Sequence, residues 1–87
     1  MSQFHYVYVL RSLKDGNLYV GATRDLGLRI QKHNAGEVQS TAYRRPLELV
    51  YYEACRSQGD AFRREKYLKS AWGKCYLKSR LASYLAG

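Results

Sequence analysis

An Asp-Gly pair between two short apolar segments is the feature that most constrains how this chain can fold. The segments are residues 6–10 and 18–21, and the pair is Asp15-Gly16. Asp-Gly in this position is a strong signal for a β-hairpin, because both central residues of a type I′ turn take positive φ angles. The sequence therefore predicts an antiparallel hairpin near the start of the chain.

The turn also predicts which side chains share a face of the hairpin. A two-residue loop pairs Lys14 with Asn17 and Ser12 with Tyr19. Side chains alternate faces along a strand, so Tyr8 lies on the face of Ser12 and hence on that of Tyr19. The two phenols then point the same way, although tyrosine is also favoured in strands for packing alone.

A short amphipathic helix is predicted after the hairpin. Thr23 or Asp25 can serve as its N-cap, and Gly36 is placed to end it. Leu26 and Ile30 form its apolar stripe. The helix therefore packs one side against the sheet.

Arg29 and His33 lie one turn apart along the edge of this stripe, where both can reach a neighbouring groove. A structural explanation exists for each residue. Arg29 can pair with Asp25, and His33 can stabilise the helix C-terminus. The spacing alone leaves both alternatives open.

The rest of the chain predicts a third strand at residues 47–53 and a helix from the capping-box pattern at residues 57–60 to Lys69. A break at residues 71–73 and a last helix at residues 74–85 follow. We expect residues 1–87 to form a single domain of the α/β (α+β) class, with a three-stranded sheet flanked by helices. The predicted element order is β-β-α-β-α-α.

A carboxylate on the packing side of the second helix is the main anomaly of the pattern. At about 100° per residue, Ala61, Leu68 and Trp72 fall within a narrow arc that also contains Glu65. A carboxylate among apolar residues needs a partner, which can be a structural hydrogen-bond donor, a basic side chain or a metal ion.

The charge of the chain indicates a polyanionic partner. Fifteen Lys and Arg residues against seven Asp and Glu give a net charge of +8, a balance typical of nucleic-acid-binding domains. The chain also has nine tyrosines, whose rings can stack on unpaired bases. Arg44 and Arg45 lie in a polar loop that either contacts phosphate or is an ordinary connector.

The remaining composition predicts an intracellular protein. Cys55 and Cys75 lack metal-knuckle spacing and are too few for a disulfide framework, so we expect free thiols. No apolar run has the form of a signal peptide or a membrane span. We expect a cytoplasmic monomer that does not bind membranes.

Five residues in order, Tyr8, Tyr19, Arg29, His33 and Glu65, resemble the GIY-YIG nuclease domain. The first motif reads Tyr6-Val7-Tyr8 and the second reads Tyr19-Val20-Gly21. The resemblance extends to about residue 81 and is strongest to small stand-alone bacterial members of that superfamily. It implies an α/β fold with a three-stranded, mainly antiparallel sheet flanked by helices, and metal-dependent cleavage of phosphodiester bonds.

The resemblance implies a role for each residue. Glu65 would hold one divalent ion, Mg²⁺ or Mn²⁺, which neutralises the leaving oxygen. Arg29 would bind the scissile phosphate, and Tyr8 or Tyr19 would orient or deprotonate the attacking water. His33 would assist proton transfer or contact phosphate.

Three departures from the family pattern are visible. Tyr6 stands where glycine is usual, and Ala22 stands where some relatives carry a lysine. The distal asparagine is missing, and Lys69, Trp72 and Lys78 are candidates to replace it.

The sequence thus predicts a metal-dependent DNA endonuclease, with a role in processes such as DNA repair. Its substrate can be single-stranded, branched or duplex DNA. So small a domain has no appended DNA-reading module, and we therefore expect either a preference for single-stranded or structured DNA or a further protein partner that sets the substrate. The alternative is a non-catalytic nucleic-acid-binding module with the same surface, and a protein-interaction domain is a third option. Candidates for contacts with the DNA backbone are Arg24, Arg44, Arg45 and Lys69.

Overall fold

The predicted hairpin and third strand assemble into one antiparallel sheet. The computed structural model describes residues 3–87. Strands β1 (His5–Ser12), β2 (Leu18–Thr23) and β3 (Leu47–Cys55) lie in the order β2-β1-β3. The helical elements are α1 (Leu26–Asn34), a 3-10 helix (Ala42–Arg44), α2 (Gln58–Lys69), α3 (Ala71–Arg80) and α4 (Ala82–Ala86). The predicted fold class is confirmed, with one additional short helix at the end.

The hairpin register differs from the prediction. The backbone N–H of Ser12 donates to the carbonyl of Asn17 over 3.0 Å, so residues 13–16 form a four-residue loop. Leu10, and not Ser12, is therefore the partner of Tyr19. The predicted two-residue loop is wrong.

Side-chain hydrogen bonds explain the longer loop. The Ser12 hydroxyl accepts the backbone N–H groups of Lys14 and Asp15 over 3.2 and 3.1 Å, which folds the chain back before the glycine. The register moves by two residues, an even number, so every side chain keeps its face. Tyr8 and Tyr19 do share a face, with ring centroids 6.5 Å apart.

Apolar side chains cover both faces of the sheet. One cluster joins Val7 and Val9 to the buried residues of α2 and α3. The other joins Tyr8 and Leu10 to Leu47 and to partly buried residues of α1. Strand β1 thus supplies alternate residues to two small cores, which fixes α1 on one side and α2 and α3 on the other.

Helix α1 begins and ends at the predicted residues. The Asp25 carboxylate, and not Thr23, caps its first turn by accepting the backbone N–H of Leu28 over 3.1 Å. Gly36 follows the C-cap with a φ of +81°, where glycine is favoured. Leu26 and Ile30 pack against the core as expected.

The C-terminal helices differ from the prediction. The break lies at Ser70, which ends α2 and caps α3 by accepting the backbone N–H of Gly73 over 3.2 Å. Trp72 is consequently 78% exposed and does not join the packing arc, because that arc assumed one continuous helix. Helix α3 ends at Arg80, so the predicted single helix over residues 74–85 is also wrong.

Both cysteines, Cys55 and Cys75, are free thiols, as expected. No helix within residues 3–87 has the length and apolar character needed to cross a membrane.

Candidate functional site

Four of the five predicted site residues meet on the side of the sheet covered by α1. Strands β1 and β2 supply Tyr8 and Tyr19, and α1 supplies Arg29 and His33. The ring centroid of His33 lies 5.6 Å from that of Tyr8 and 5.1 Å from that of Tyr19. The hairpin and the first helix therefore build this cluster together.

Gly21 makes room for the Tyr8 ring. These residues are cross-strand partners, and a Cβ atom added at Gly21 would lie 2.5 Å from Cζ of Tyr8 and closer still to its hydroxyl. No side chain fits there without displacing the phenol. The glycine of the second motif thus lets the Tyr8 side chain lean across β2.

The Tyr8 hydroxyl contacts both polar residues of α1. Its oxygen lies 2.8 Å from Nε2 of His33, and Nε of Arg29 donates to it over 3.4 Å. Arg29 can only donate, so the phenol proton finds its acceptor in His33 among the described residues. This arrangement requires that Nε2 of His33 be unprotonated.

Thr41 completes the arrangement. Its Oγ1 atom lies 2.7 Å from Nδ1 of His33, and its hydroxyl donates to the carbonyl of Val38 over 3.4 Å. Nδ1 therefore carries the imidazole proton and donates it to Thr41, which assigns the tautomer that the Tyr8 hydrogen bond needs. A hydrogen-bonded chain runs from the loop before β3 to Arg29.

The hairpin loop holds the segment that carries Thr41. Ser12 donates its hydroxyl proton to the carbonyl of Arg44 over 2.7 Å. The guanidinium of Arg44 pairs with Asp15 at 3.0 Å and donates to the carbonyl of Asn17 over 3.2 Å. Arg44, a predicted DNA contact, thus takes part in an intramolecular clamp.

Burial shapes the protonation of this cluster. Tyr8 is 1% exposed, and both His33 and Thr41 are fully buried. Burial, reinforced by the charge of Arg29, lowers the pKa of His33 to about 4. Burial also raises the pKa of Tyr8, against the opposing hydrogen bond from Arg29. Near neutral pH, therefore, His33 is neutral and Tyr8 keeps its proton.

Glu65 approaches from the other side of the sheet. Its side chain is 22% exposed and pairs with Lys69 over 3.0 Å. Its charge is one of the smaller causes that raise the pKa of Tyr8, after burial and the charge of Tyr19. The fifth predicted residue therefore acts electrostatically on the same phenol.

The neighbour of Glu65 sets the rotation of α2. Arg64 donates from Nε and Nη2 to the Glu53 carboxylate, each over 2.9 Å, and Tyr51 donates to the same carboxylate over 2.8 Å. These bonds attach one side of α2 to β3. Glu65 follows Arg64 and so lies about 100° further around the helix axis.

A divalent ion at Glu65 would need further ligands from water and from a substrate phosphate. Among residues 3–87, no three His, Cys, Asp or Glu side chains converge on a common point. Mg²⁺ commonly binds through one or two carboxylates, with water and substrate phosphates as the other ligands. Glu65, as a hard oxygen donor, meets that requirement.

Two other predicted DNA contacts, Arg24 and Arg45, make no hydrogen bond or ion pair to a residue of the candidate site within the described part of the chain. Arg24 is exposed after the end of β2, where it donates to the side chain of Gln3. Arg45 is exposed before β3, and its Nε donates to the carbonyl of Ala42 over 2.6 Å. Only Lys69 contacts a member of the candidate site.

Sequence reasoning did not identify Thr41. A threonine within a polar loop carries no signal of burial, and its contact with His33 depends on the loop folding back over α1. Its position eight residues after His33, just beyond the helix-ending glycine, is the only sequence hint.

The comparisons with known proteins agree on one family. Residues 4–86 match the family described as the GIY-YIG catalytic domain. A UPF0213 protein of Staphylococcus saprophyticus is 42% identical over 67 residues, which cover 76% of this chain and 80% of that protein. A UPF0213 protein of Staphylococcus aureus is 39% identical over 67 residues, with the same shares covered.

A solved structure is similar as well. The solution NMR structure of a UPF0213 protein from Bacillus halodurans matches with a TM-score of 0.54 and 40% sequence identity. The match covers 87% of this chain and 83% of that one.

Proposed function

This chain belongs to the GIY-YIG family of nuclease domains, and we propose that it hydrolyses phosphodiester bonds in DNA with the help of a divalent metal ion. One observation carries the proposal: the Tyr8 hydroxyl contacts His33 at 2.8 Å and Arg29 at 3.4 Å. Three residues distant in sequence thus place a potential proton acceptor beside a potential phosphate ligand.

Tyr8 takes the proton of the attacking water in this proposal. The phenol can do so only as it passes its own proton to Nε2 of His33. In the free protein this transfer is unfavourable, because burial and Arg29 hold the pKa of His33 at about 4. A phosphate bound to Arg29 offsets the guanidinium charge and makes His33 a better acceptor. Substrate binding thus favours proton transfer.

Arg29 binds the scissile phosphate. Its Nε atom is used by Tyr8, which leaves the terminal nitrogens of the guanidinium for phosphate oxygens. The same group stabilises the negative charge that develops in the pentavalent transition state. Tyr19, which is partly exposed beside His33, positions the water.

Glu65 is the proposed metal ligand. It would hold Mg²⁺ or Mn²⁺ together with substrate oxygens, and the ion would neutralise charge on the leaving 3′ oxygen. Lys69 pairs with this carboxylate at 3.0 Å and must release it when an ion binds. The side chain of Lys69 is 52% exposed, so it is free to turn towards DNA.

A second candidate function is a nucleic-acid-binding module without catalysis. The Glu65–Lys69 pair favours it, because the ammonium gives the carboxylate a structural partner and reduces its repulsion of phosphate. The two candidates differ in whether Glu65 is needed for a chemical step.

The test compares the wild type with Glu65→Gln on single-stranded, duplex and branched DNA, in Mg²⁺, in Mn²⁺ and in chelator. Glu37→Gln, at an exposed loop position, is the matched control. We expect metal-dependent cutting by the wild type and the control, and a loss of at least about 100-fold in Glu65→Gln. Binding should survive and weaken steeply with salt. Wild-type protein without metal-dependent cutting, or equal cutting by Glu65→Gln, would refute the proposal.

A further inference from the structure

A concave surface follows the outer edge of β2, which pairs with β1 on one side only. This surface, called here the β2-edge pocket, has a volume of about 550 Å³. It lies between β2 and the three C-terminal helices. Such a volume is ordinary for sites that bind small organic groups.

The pocket combines an apolar floor with a basic rim. The floor consists of Leu68 and Leu77, which are buried, with Leu18 and Leu85 at its sides. The rim carries three exposed lysines, Lys69, Lys74 and Lys78. This combination suits a ligand with a flat, weakly polar part and a negative charge.

Two of the rim ammoniums have no acidic partner. Lys74 and Lys78 lie one turn apart on α3, and within residues 3–87 neither is within salt-bridge distance of a carboxylate. Their charges therefore remain available to an anion.

Two residues that line the pocket connect it to the candidate active site. Tyr19 is one of the residues that line the pocket, and its ring lies on the α1 side of β2, 5.1 Å from the ring of His33. Lys69 lines it as well, and its Nζ atom lies 3.0 Å from Glu65. A DNA strand bound beside Glu65 can thus pass Lys69 and continue around the edge of β2 into this pocket.

Resting on the proposed function, we propose that the β2-edge pocket takes one unpaired nucleotide of the DNA strand next to the scissile phosphate. The base lies against the leucine floor, and the adjoining phosphates lie against Lys74 and Lys78. The bases of an intact duplex are stacked and paired, so they cannot enter without being unpaired first. The substrate class is therefore DNA that contains an unpaired base beside the cleavage point.

The test measures binding in chelator, so that no cleavage occurs. The probe is a short single-stranded oligodeoxynucleotide in which one position after another is made abasic. We expect the wild type to lose about 10-fold in affinity when the base at one particular position is removed, because the base no longer covers the apolar floor. The Lys74→Ala/Lys78→Ala protein should bind the intact strand at least 10-fold more weakly and should not distinguish the abasic strands.

The matched control is Lys32→Ala/Lys66→Ala, which removes the same charge from exposed positions outside the pocket. It should lose less affinity and should keep the position-specific abasic effect. If both double variants lost the same affinity, and no abasic position weakened binding to the wild type, the proposed nucleotide pocket would be refuted. The lysines would then act only by general attraction to phosphate. Lysine-dependent binding of an acidic peptide in place of DNA would overturn it in favour of a protein partner.

The two proposals fail separately. Position-specific binding in chelator without cleavage in metal would support the pocket and refute the nuclease. Metal-dependent cleavage without an abasic effect on binding would support the nuclease and refute the pocket.

Discussion

The Nδ1 atom of His33 lies 2.7 Å from Oγ1 of Thr41 in the interior of the protein. This contact joins the loop before β3 to the end of α1. It also determines which imidazole nitrogen carries the proton, because Thr41 can accept from Nδ1 while donating to the carbonyl of Val38. We therefore regard Thr41 as a positioning residue for the proton transfer proposed above.

The substitution Thr41→Val tests this role. It keeps the shape but leaves the imidazole N–H without an acceptor, which should reduce the free energy of unfolding by about 1–3 kcal/mol. We expect slower cleavage and a change of tautomer in the ¹⁵N spectrum of His33. Thr41→Ser keeps the hydroxyl and should restore both. An unchanged tautomer in Thr41→Val would contradict the assignment.

Acid should destabilise the protein through His33. Its pKa is about 4 in the folded protein, chiefly because of burial and then because of Arg29, and about 6.5 in an unfolded chain. The unfolded state therefore binds a proton first as pH falls. The stabilisation is complete above about pH 6.5 and is lost progressively down to about pH 4, by about 2–3 kcal/mol.

Denaturant unfolding at a series of pH values measures this slope. His33→Gln should flatten the slope between pH 6.5 and 5. A wild-type protein equally stable at pH 7 and pH 5 would contradict the burial of a neutral imidazole.

Two glycine substitutions should have opposite effects. Gly21→Ala forces the Tyr8 ring away from β2, which should cost about 1–3 kcal/mol of stability and reduce cleavage. Gly27→Ala meets nothing within 4 Å in α1 and should stabilise the protein by up to about 1 kcal/mol. Urea midpoints and cleavage rates measured together would reveal both effects. A Gly21→Ala protein with wild-type stability and activity would contradict the close contact between the Tyr8 ring and Gly21.

The two phenols should differ in importance. Tyr8→Phe removes the hydroxyl that joins Arg29 to His33, so single-turnover cleavage should fall by at least about 100-fold. Tyr19→Phe, next to His33 but without a hydrogen bond to it among the described residues, should have a smaller effect. The reverse order would assign the proton-accepting role to Tyr19.

The sequence predicted the three strands, the face shared by Tyr8 and Tyr19, and Asp25 as one of two possible caps of α1. It also predicted the capping box of α2, where the Ser57 side chain accepts the backbone N–H of Asp60. These features depend on local hydrogen bonds and on an alternation with period two, so they survived a register error of two residues. Tertiary contacts explain what was missed. The exposed position of Trp72 follows from the capping bond at Ser70, which ends one helix and begins another.

The candidate site was only partly predictable for the same reason. Arg29 and His33 could be placed at the edge of one helix, because helical spacing alone determines that. The clamp between Arg44 and Asp15, 29 residues apart, depends on how the loops fold together. No local sequence pattern indicates that Arg44, in the loop before β3, pairs with Asp15 in the hairpin loop.

The most direct test is the single-turnover cleavage rate of Arg29→Ala in Mg²⁺, with its DNA affinity measured separately in chelator. Lys32→Ala, on the exposed side of α1, is the control. If Arg29 stabilises the transition state beside Tyr8, the rate should fall by about 100- to 1,000-fold. Affinity should change far less, and Lys32→Ala should cleave like the wild type. A wild-type protein that cuts no DNA in Mg²⁺ or Mn²⁺, or an Arg29→Ala protein that cuts at the wild-type rate, would contradict the proposed chemistry.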